Sequence, residues 1–548
     1  DHVKNMVIIF LTKGGGTMKQ VYYGGNIITL EKENVEAVLV ENGKIIETGT
    51  KKEILEKLKN EEVEHIDLKG ATLMPAFIDA HSHITAYAQT LGIGQLEKCT
   101  NFEEIVETMK KFKQENDKKE GEWLIGFGYD NNFLKEKQHP TREVLDKISK
   151  TSPILITHKS GHMGVVNTKG LETLGITSET PEPEGGKIGR EKDSQTPNGY
   201  LEEKAFIEAS QKLEIITFEQ MVKLIKKAEK VYASYGITTA QDGLTKENEF
   251  NLLKYMAENK MLDLDIVSFV DFKNAKSIVE NNTKFVKQYC NHYKIGGYKI
   301  ILDGSPQGRT AWMSKPYEGE KEYCGYPIYE NFQVEEIVQN SINEQMQLLT
   351  HCNGDASAEQ LIESYEKINA TENYRPVMIH AQLVRKDQLK RMKKINMIPS
   401  FFIQHVYYWG DIHIKNFGER AKEISPIKSA IENGLIYTMH QDTPVLPPNM
   451  FETIWCAVKR QTQNGIELGE NQKISVLEAI KGLTINSAYQ YFEEEQKGSI
   501  KPEKTADFIV IDKNPLEIEI DEIKNIKIIY TIKNGQIIYK GDTKCQKE

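Results

Sequence analysis

The sequence predicts an α/β protein: a (β/α)8, TIM-like barrel with a small composite β-sandwich domain and a large insertion after barrel strand 1. Three observations lead to this prediction. Amphipathic runs of helical length alternate with short apolar runs from residue 218 onward. β-rich segments with hairpin-turn signals stand near both ends of the chain. Residues 85–215, far more than an ordinary βα loop, separate the first strand candidate from the later ones.

Both ends of the chain have the pattern of β hairpins. "VEAVLVENGKIIETG" near the start and "IKIIYTIKNGQIIYKG" near the end each place an Asn-Gly turn between apolar strands. We predict that residues 18–72 and 498–548 form one composite β-sandwich domain. Two unrelated hairpins are the alternative.

Eight strand candidates define the barrel, which we assign to residues 73–497. Seven of them follow amphipathic helical segments, and the alternation of strand and helix predicts parallel strands. In chain order the eight are "MPAFIDAHSH", "ITTAQDG", "LDIVSFV", "GGYKIILDGS", "QLLTHCNG", "PVMIHAQ", "MIPSFFI" and "LIYTMHQDTP".

Two segments stand outside this alternation. Residues 85–215 contain their own helix and strand candidates, and we predict that this insertion shapes a substrate pocket, because barrel active sites lie at the carboxyl ends of the strands. Residues 1–17 differ in pattern from the segment that follows, and we interpret them as an extension.

Composition excludes several functional classes. The chain has 548 residues, 39% of them hydrophobic and 27% charged, which is typical of a globular protein. A net charge of -10 argues against nucleic-acid binding. No apolar run approaches the roughly 18 residues that span a membrane. The six cysteines lack C-x-x-C spacing, so we expect a reducing, cytoplasmic location.

Five side chains at predicted strand ends are candidate metal ligands. His81 and His83 are two residues apart and so share one face of strand 1, while His351, His380 and Asp442 follow strands 5, 6 and 8. A single strand histidine is more often hydrogen-bonded in a core than bound to metal. Four histidines and an aspartate at one barrel rim instead favour a divalent cation such as Zn²⁺, with Fe²⁺, Mn²⁺ or Ni²⁺ as competitors.

Lys299 on strand 4 has two interpretations. A protonated lysine repels a cation, so it would serve as a ligand only when neutral or when CO2 converts it into a carbamate. The alternative is a buried or salt-bridged lysine near Asp303, and the early position of Lys299 in its apolar run weakens the ligand interpretation.

Several blocks resemble one known family. They are "LMPAFIDAHSH", "SGHMGVVN", "GGKIGR", "GYKIILDGSPQGRTA", "PSFFIQHVYYWGD", "HQDTPVLPPNMFETIWCAVKR" and "KTADFIVIDKNPL". Together they span nearly the whole chain and resemble the metal-dependent amidohydrolase superfamily, in its family 3 branch typified by N-substituted formamide deformylases. The resemblance implies a small-molecule substrate, and it allows a homodimer.

The resemblance also implies a site with two metal ions, which we expect to be Zn²⁺. His81, His83 and Asp442 would hold the first ion and His351 and His380 the second. Lys299 would bridge the two ions as a carbamate formed from CO2.

The expected chemistry is hydrolysis of a carbon–nitrogen bond, other than a peptide bond, in an amide or formamide. Hydroxide activated by the metal would attack the carbonyl, since a bound cation lowers the pKa of water to about 7. Asp442 would be the catalytic residue that takes the proton and passes it to the leaving nitrogen. Deamination or ester hydrolysis on the same metal site is an alternative, and so is a non-catalytic regulatory or binding barrel.

Four further residues are candidate substrate contacts: Asp130, His162, His405 and Trp409. The first two lie in the insertion, where hydrogen bonds that stabilise a loop are an equal alternative for Asp130. His405 and Trp409 follow strand 7. An aromatic cluster is more often core, but three consecutive aromatic residues after a strand cannot all be buried on one face. His440 is equally compatible with a structural and a functional role.

Overall fold

The structure is a computed structural model that describes residues 19–31, 34–213, 216–369 and 374–541. The predicted extension 1–17 lies outside the described residues. The chain divides into two compact units: unit 1 is formed by Asp1–Thr85 and Ala228–Glu548, and unit 2 by Ala86–Lys227. Among the described helices, none combines the length and the apolar character needed to cross a membrane.

The first part of unit 1 consists of short strands and one helix. They are β1 Lys19–Tyr23, β2 Asn26–Ile27, β3 Ala37–Glu41, β4 Lys44–Gly49, α1 Lys51–Lys57, β5 Val63–Asp67, β6 Thr72–Pro75 and β7 Phe77–Ile78. Asn42 and Gly43 both have positive φ between β3 and β4, as a two-residue hairpin turn requires. The predicted Asn-Gly turn therefore has its structural basis in left-handed backbone.

Unit 2 contains a six-stranded sheet in the order β12-β13-β11-β10-β9-β8. Its elements and the two helices that lead into and out of it are α2 Ile84–Leu91, β8 Gly94–Gln95, α3 Phe102–Glu115, β9 Leu124–Tyr129, α4 Arg142–Asp146, β10 Ile154–His158, β11 Met163–Val166, α5 Thr168–Leu174, β12 Gly186–Arg190, β13 Pro197–Glu203, α6 Lys204–Gln211 and α7 Phe218–Ser234. Nearly all of the predicted insertion 85–215 falls in this unit.

The remaining seven strands of the large sheet alternate with helices along the rest of unit 1. The strands are β14 Ile237–Thr245, β15 Asp265–Asp271, β16 Tyr293–Ile301, β17 Gln347–Cys352, β18 Val377–His380, β19 Ile398–Phe401 and β20 Thr438–Met439. The helices are α8 Glu247–Glu258, α9 Phe272–Asn281, α10 Asn331–Asn343, α11 Asp355–Ile368, α12 Lys386–Lys394, α13 His405–Tyr408, α14 Gly410–Phe417, α15 Ile427–Glu432, α16 Met450–Lys459, α17 Val476–Gly482 and α18 Ile485–Gln490. Short 3-10 helices lie at Thr283–Phe285, Gly418–Glu423, Glu470–Gln472 and Ile520–Asn525.

These strands and β7 form one curled sheet of eight, in the order β20-β19-β18-β17-β16-β15-β14-β7, and every neighbouring pair is parallel. The backbone N–H of His83, just after β7, donates to the carbonyl of Thr443, just after β20. This hydrogen bond joins the segments that follow the two edge strands. The prediction of a barrel-like α/β fold is confirmed.

The chain ends with three strands that join β2 and β6. They are β21 Phe508–Ile511, β22 Ile528–Lys533 and β23 Gln536–Lys540, and β21 pairs antiparallel with β6. Residues from both chain ends, including Tyr22 and Phe508, share one apolar core. That the strands near the two chain ends form one composite β-sandwich stays a prediction.

We expect the Gly43→Ala variant to lower the melting temperature more than the Gly70→Ala variant does. Both glycines have positive φ, so an alanine costs about 1–2 kcal/mol at either position. Only at Gly43 would the added Cβ also meet backbone, at 2.6 Å from the Asn534 oxygen, whereas nothing lies within 4 Å at Gly70. Thermal unfolding of both variants tests this, and equal losses would contradict a tight approach of the two hairpin turns.

Candidate metal centre

The five histidine and aspartate candidates lie at one edge of the eight-stranded sheet. His81 and His83 follow β7, His351 is the penultimate residue of β17, His380 ends β18, and Asp442 follows β20. Because neighbouring strands are parallel, their carboxyl ends meet at the same rim. The fold thus brings together side chains that are far apart in sequence.

Two of these residues have an uncommon backbone conformation. Val377 and Ile379 belong to the apolar core in the barrel interior. Strict alternation of side chains along β18 would therefore turn His380 away from that core. His380 instead has φ 75° and Asp442 has φ 54°, both in the left-handed region. A non-glycine residue there costs on the order of 1–3 kcal/mol, a cost that is found most often at functional sites.

Three imidazoles surround the Asp442 carboxylate. Asp442 Oδ1 lies 3.4 Å from His81 Nε2 and 3.3 Å from His83 Nε2, and Oδ2 lies 3.9 Å from His380 Nε2. One ligand atom each from His81, His380 and Asp442 fall within 4.8 Å of one another, which is the spacing a single metal ion needs. Burial opposes ionisation of Asp442, but the imidazoles next to it, that of His83 most strongly, keep its pKa well below the ordinary value.

A buried glutamine fixes the tautomer of His81. The side-chain amide of Gln241 donates to the carbonyl of Ala80 and to the hydroxyl of Tyr491, so its oxygen is the atom that meets His81 Nδ1 at 2.6 Å. Burial lowers the pKa of His81 well below its ordinary value, and the ring is neutral. Its single proton is therefore on Nδ1, and a lone pair on Nε2 faces Asp442.

His380 has an analogous support behind it. Its Nδ1 lies 3.1 Å from Nε2 of His440, whose Nδ1 is 2.9 Å from the Ser400 hydroxyl. Burial lowers the pKa of His440 to about 3, so that ring carries one proton. When His440 donates to Ser400, it accepts from His380 and leaves the Nε2 lone pair of His380 available to a cation.

The arrangement fits a divalent cation. Oδ1 of Asp442 is a buried carboxylate oxygen with no hydrogen-bond donor among the described residues, and buried polar atoms of this kind are rare unless an ion or water satisfies them. It faces the Nε2 lone pair of His81, which repels it. A cation between the two would turn this repulsion into two bonds.

Lys299 lies beside His81 in the barrel interior. It pairs in register with Leu349, a member of the interior core, and its Nζ is 3.2 Å from His81 Nε2. The strand begins at Tyr293, so Lys299 lies late in β16 and not early, as the apolar run indicated. Burial lowers the pKa of Lys299 to about 7. Among the described residues, no carboxylate forms an ion pair with it.

Asp303 has other partners. Its carboxylate accepts hydrogen bonds from the backbone N–H groups of Trp312, Asn353 and Gly354 and from the Ser357 hydroxyl. It therefore ties the loop after β16 to the start of α11.

His351 lies next to His380 but is not part of the cluster formed by His81, His380 and Asp442. Its ring centroid is 4.5 Å from that of His380, but its Nδ1 lies 3.4 Å from Asp303 Oδ1 and its Nε2 lies 3.3 Å from the amide nitrogen of Asn353. Nδ1 is buried and has no hydrogen-bond partner among the described residues. His351 thus lies next to the first cluster, with its ring nitrogens directed at Asp303 and Asn353.

An aromatic group follows β19. The Phe402 ring lies 6.1 Å from that of His380 and 4.7 Å from that of His405, and His405 lies 4.6 Å from Trp409. His405 and Trp409 are thus linked to the candidate ligands through one phenylalanine. His405 begins the short helix α13, and Trp409 follows the last residue of that helix.

The other two substrate candidates lie in unit 2. Asp130 faces His158 at 3.6 Å and accepts from the backbone N–H of Asn132, which lowers its pKa. His162 is exposed and lies 3.2 Å from the Glu203 carboxylate. Their contact with a substrate stays a prediction.

Sequence reasoning missed Gln241, Phe402 and His413, and it left His440 undecided. The one available signal was the polar Gln241 within the apolar run "ITTAQDG". A buried glutamine in a strand must have hydrogen-bond partners, which marks it as a support for a neighbouring polar group.

The barrel-like fold and this ligand cluster define the class of metal-dependent hydrolases. A statistical model of the amidohydrolase family matches residues 64–539, and the chain belongs to that family. The resemblance found in the sequence is thereby confirmed.

Known relatives cover nearly the whole chain. "Putative amidohydrolase YtcJ" of Bacillus subtilis strain 168 is 26% identical over 95% of this chain and 100% of its own length. N-substituted formamide deformylase of Arthrobacter pascens is 24% identical over 94% and 97%. The crystal structure of an uncharacterized metal-dependent hydrolase from Pyrococcus horikoshii OT3 is similar in fold, with a TM-score of 0.72, 24% identity and coverage of 92% and 99%.

We expect the Gln241→Leu variant to bind metal about 10–100-fold more weakly, because His81 loses the acceptor that keeps its proton on Nδ1. Competition with a chelator, followed by elemental analysis, measures this. Gln347→Leu is the matched control, since Gln347 is also buried and donates to two carbonyls, of Arg375 and Gln490, but lies at the first residue of β17. Equal metal affinity in the two variants would contradict the support role.

Proposed function

We propose that this protein hydrolyses the carbon–nitrogen bond of a small amide or formamide, other than a peptide bond, with the help of divalent metal. The observation that carries the proposal is the buried Asp442 oxygen, which has histidine nitrogens around it and no hydrogen-bond donor among the described residues. The name of the deformylase relative supports the choice of bond.

Six side chains would hold two metal ions, which we propose to be Zn²⁺. His81, His83 and Asp442 would hold one, and His351 and His380 the other, with Lys299 between them. Bound Zn²⁺ acidifies water and polarises a carbonyl group. Imidazole and carboxylate donors suit Zn²⁺, although Fe²⁺, Mn²⁺ and Ni²⁺ are chemically related competitors.

Asp442 would carry the proton. A carboxylate with a low pKa is a weak base, so Asp442 would take a proton only from water acidified by a bound cation. The same carboxyl group would then give that proton to the leaving nitrogen, which must be protonated before the C–N bond breaks. Its position among three imidazoles supports this role.

Lys299 would act as a carbamate. Its neutral amine would attack CO2, a nitrogen–carbon bond would form as one C=O π bond opens, and one proton would leave, so that the side chain ends in two oxygens that share one negative charge. Burial favours this step because it keeps a large share of the amine neutral near pH 7. The product would attract divalent cations instead of repelling them.

The substrate would place an apolar or aromatic substituent against Phe402, Trp409 and His405, with Asp130 and His162 as further contacts. The free thiols Cys99, Cys352 and Cys456 are buried, which supports the proposed cytoplasmic location. A homodimer and a composite β-sandwich are part of the same proposal.

A substrate screen tests the function directly. Protein of measured metal content is offered N-formyl, N-acyl and cyclic amides, together with esters and aminated rings. Hydrolysis of an amide that is lost on chelation and restored by Zn²⁺ is expected. Preferred turnover of an ester or release of ammonia from a ring would select the alternative reactions, and metal-independent inertness would favour a regulatory barrel.

We expect the Asp442→Asn variant to lose about 10²–10⁴-fold in kcat, because the amide cannot carry the proton. We expect its metal content to fall much less than its kcat. Parallel kinetics and elemental analysis measure both. Asp271→Asn is the control: Asp271 is the last residue of barrel strand β15 but caps α9, where asparagine is an equally good cap. Full activity of the Asp442 variant would reject its role.

We expect the Lys299→Ala variant to be inactive and to regain part of its activity when acetate or propionate is added, since a small carboxylate can occupy the space of the carbamate. Wild-type apoprotein should also recover faster with Zn²⁺ plus bicarbonate than with Zn²⁺ in CO2-free buffer. Lys294→Ala, on the same strand but paired with Glu493, should not respond to carboxylates. Recovery that is independent of bicarbonate would contradict the carbamate.

A further inference from the structure

Two buried histidines form a pair beside the candidate metal centre. Nδ1 of His405 lies 3.0 Å from Nε2 of His413, and the two ring planes are within 12° of each other. His405 begins α13 and His413 lies in α14. Both side chains are buried, His413 completely. Burying two hydrogen-bonded imidazoles costs more free energy than filling the same space with apolar side chains. The pair therefore points to a role beyond packing.

The pair has two possible proton arrangements. Burial lowers the pKa of His413 to about 3, so its ring is neutral and carries one N–H. If that proton is on Nε2, His413 donates to Nδ1 of His405, and the proton of His405 is on its own Nε2. If the proton of His413 is on Nδ1, the hydrogen bond runs in the opposite direction and Nε2 of His405 carries a lone pair.

The surroundings of His413 decide between the two arrangements. Its Nδ1 is buried and has no hydrogen-bond partner among the described residues. A proton there would be a buried donor without an acceptor, which is rarer in proteins than an acceptor without a donor. The proton therefore belongs on Nε2, in the hydrogen bond to His405.

The surroundings of His405 are compatible with this arrangement. Phe402 packs against both the His405 ring and the His380 ring. Nε2 of His405 makes no hydrogen bond with any described residue. An N–H on that nitrogen can therefore donate to a bound molecule.

We propose that His413 is a positioning residue that holds His405 as the Nε2–H tautomer, and that this N–H donates to the carbonyl oxygen of the substrate. The inference rests on the proposed amide hydrolysis. Negative charge builds up on that oxygen as the carbonyl is attacked, and a fixed donor stabilises it more in the transition state than in the ground state. His405 would thus be a catalytic residue, and His413 would act through it.

The tautomer is measurable without any substrate. Protein labelled with ¹⁵N at its histidines is studied by two-bond ¹⁵N–¹H correlation, and the His405→Gln variant identifies the signals of His405 by their loss. We expect the protonated nitrogen of His405 to be Nε2 and its Nδ1 to have the shift of an acceptor. A protonated Nδ1 would overturn the inference whatever the enzyme's substrate is.

Two variants of His413 test the catalytic consequence. Glutamine places an amide N–H near the position of the imidazole Nε2–H and can still donate to His405, whereas leucine fills the space without a donor. We expect His413→Leu to lower kcat about 10–100-fold with little change in KM, a loss below that of removing an oxyanion donor outright, and His413→Gln to stay within about threefold of the wild type. Equal losses in both variants would overturn the positioning role.

Controls separate the possible failures. His65→Leu, an exposed histidine on β5, should leave kcat unchanged, and all variants should match the wild type in metal content and thermal unfolding. If no amide is turned over by the wild type, the proposed function fails, yet the ¹⁵N measurement still decides the tautomer. If amides are hydrolysed and the leucine variant is fully active, this inference alone fails.

Discussion

The structure of the candidate site depends on one electrostatic constraint: a carboxylate and the lone pairs of neutral imidazoles occupy the same small volume. Asp442 Oδ1 lies 3.4 Å from His81 Nε2, and no proton is available between them because the proton of His81 is on the other ring nitrogen. Two acceptors at this distance repel each other. The fold holds them together because both residues lie at the carboxyl ends of parallel strands. A bound cation would relieve the repulsion.

Hydrogen bonds behind the ligands set up this constraint. Gln241 fixes His81, and it is itself fixed by the Tyr491 hydroxyl, which also donates to the carbonyl of Asp79. His440 and Ser400 support His380 in the same way. These hydrogen bonds fix which ring nitrogen of each histidine faces the site. The free energy of ordering the rings is therefore not lost when the metal binds. The His405–His413 pair repeats this device on the side of the proposed substrate.

The candidate metal ligands could be inferred from the sequence, whereas the residues that form hydrogen bonds with the histidines of the site could not. His81, His83, His380 and Asp442 stand at strand ends that the alternation of helices and strands locates, so barrel geometry alone predicts their convergence. His413 is eight residues after His405 in the chain, and nothing in that spacing reveals that two short helices bring the rings together. Supports of this kind arise from tertiary contact and have no local pattern.

Lys299 shows why a strand position can be misjudged. The apolar run near it is interrupted by Gly296 and Gly297, which made the strand seem to begin later than it does. Gly297 is required there because a Cβ would lie 2.0 Å from the backbone oxygen of Gln347 on β17. Close approach of two backbones therefore removes the side chain that the hydrophobic pattern would have counted. The hairpin of β3 and β4 could be predicted from its Asn-Gly turn, since left-handed residues leave a clear sequence signal.

The rim of the barrel also stores strain that metal binding can offset. His380, Ala381 and Asp442 all have positive φ, and each such residue costs on the order of 1–3 kcal/mol. Repulsion between Asp442 and the imidazoles adds to this cost in the metal-free protein. A ligand that binds only the folded state stabilises it by mass action, so metal affinity and fold stability are coupled at this rim. The geometry that makes these groups good ligands is thus the same geometry that makes them repel one another.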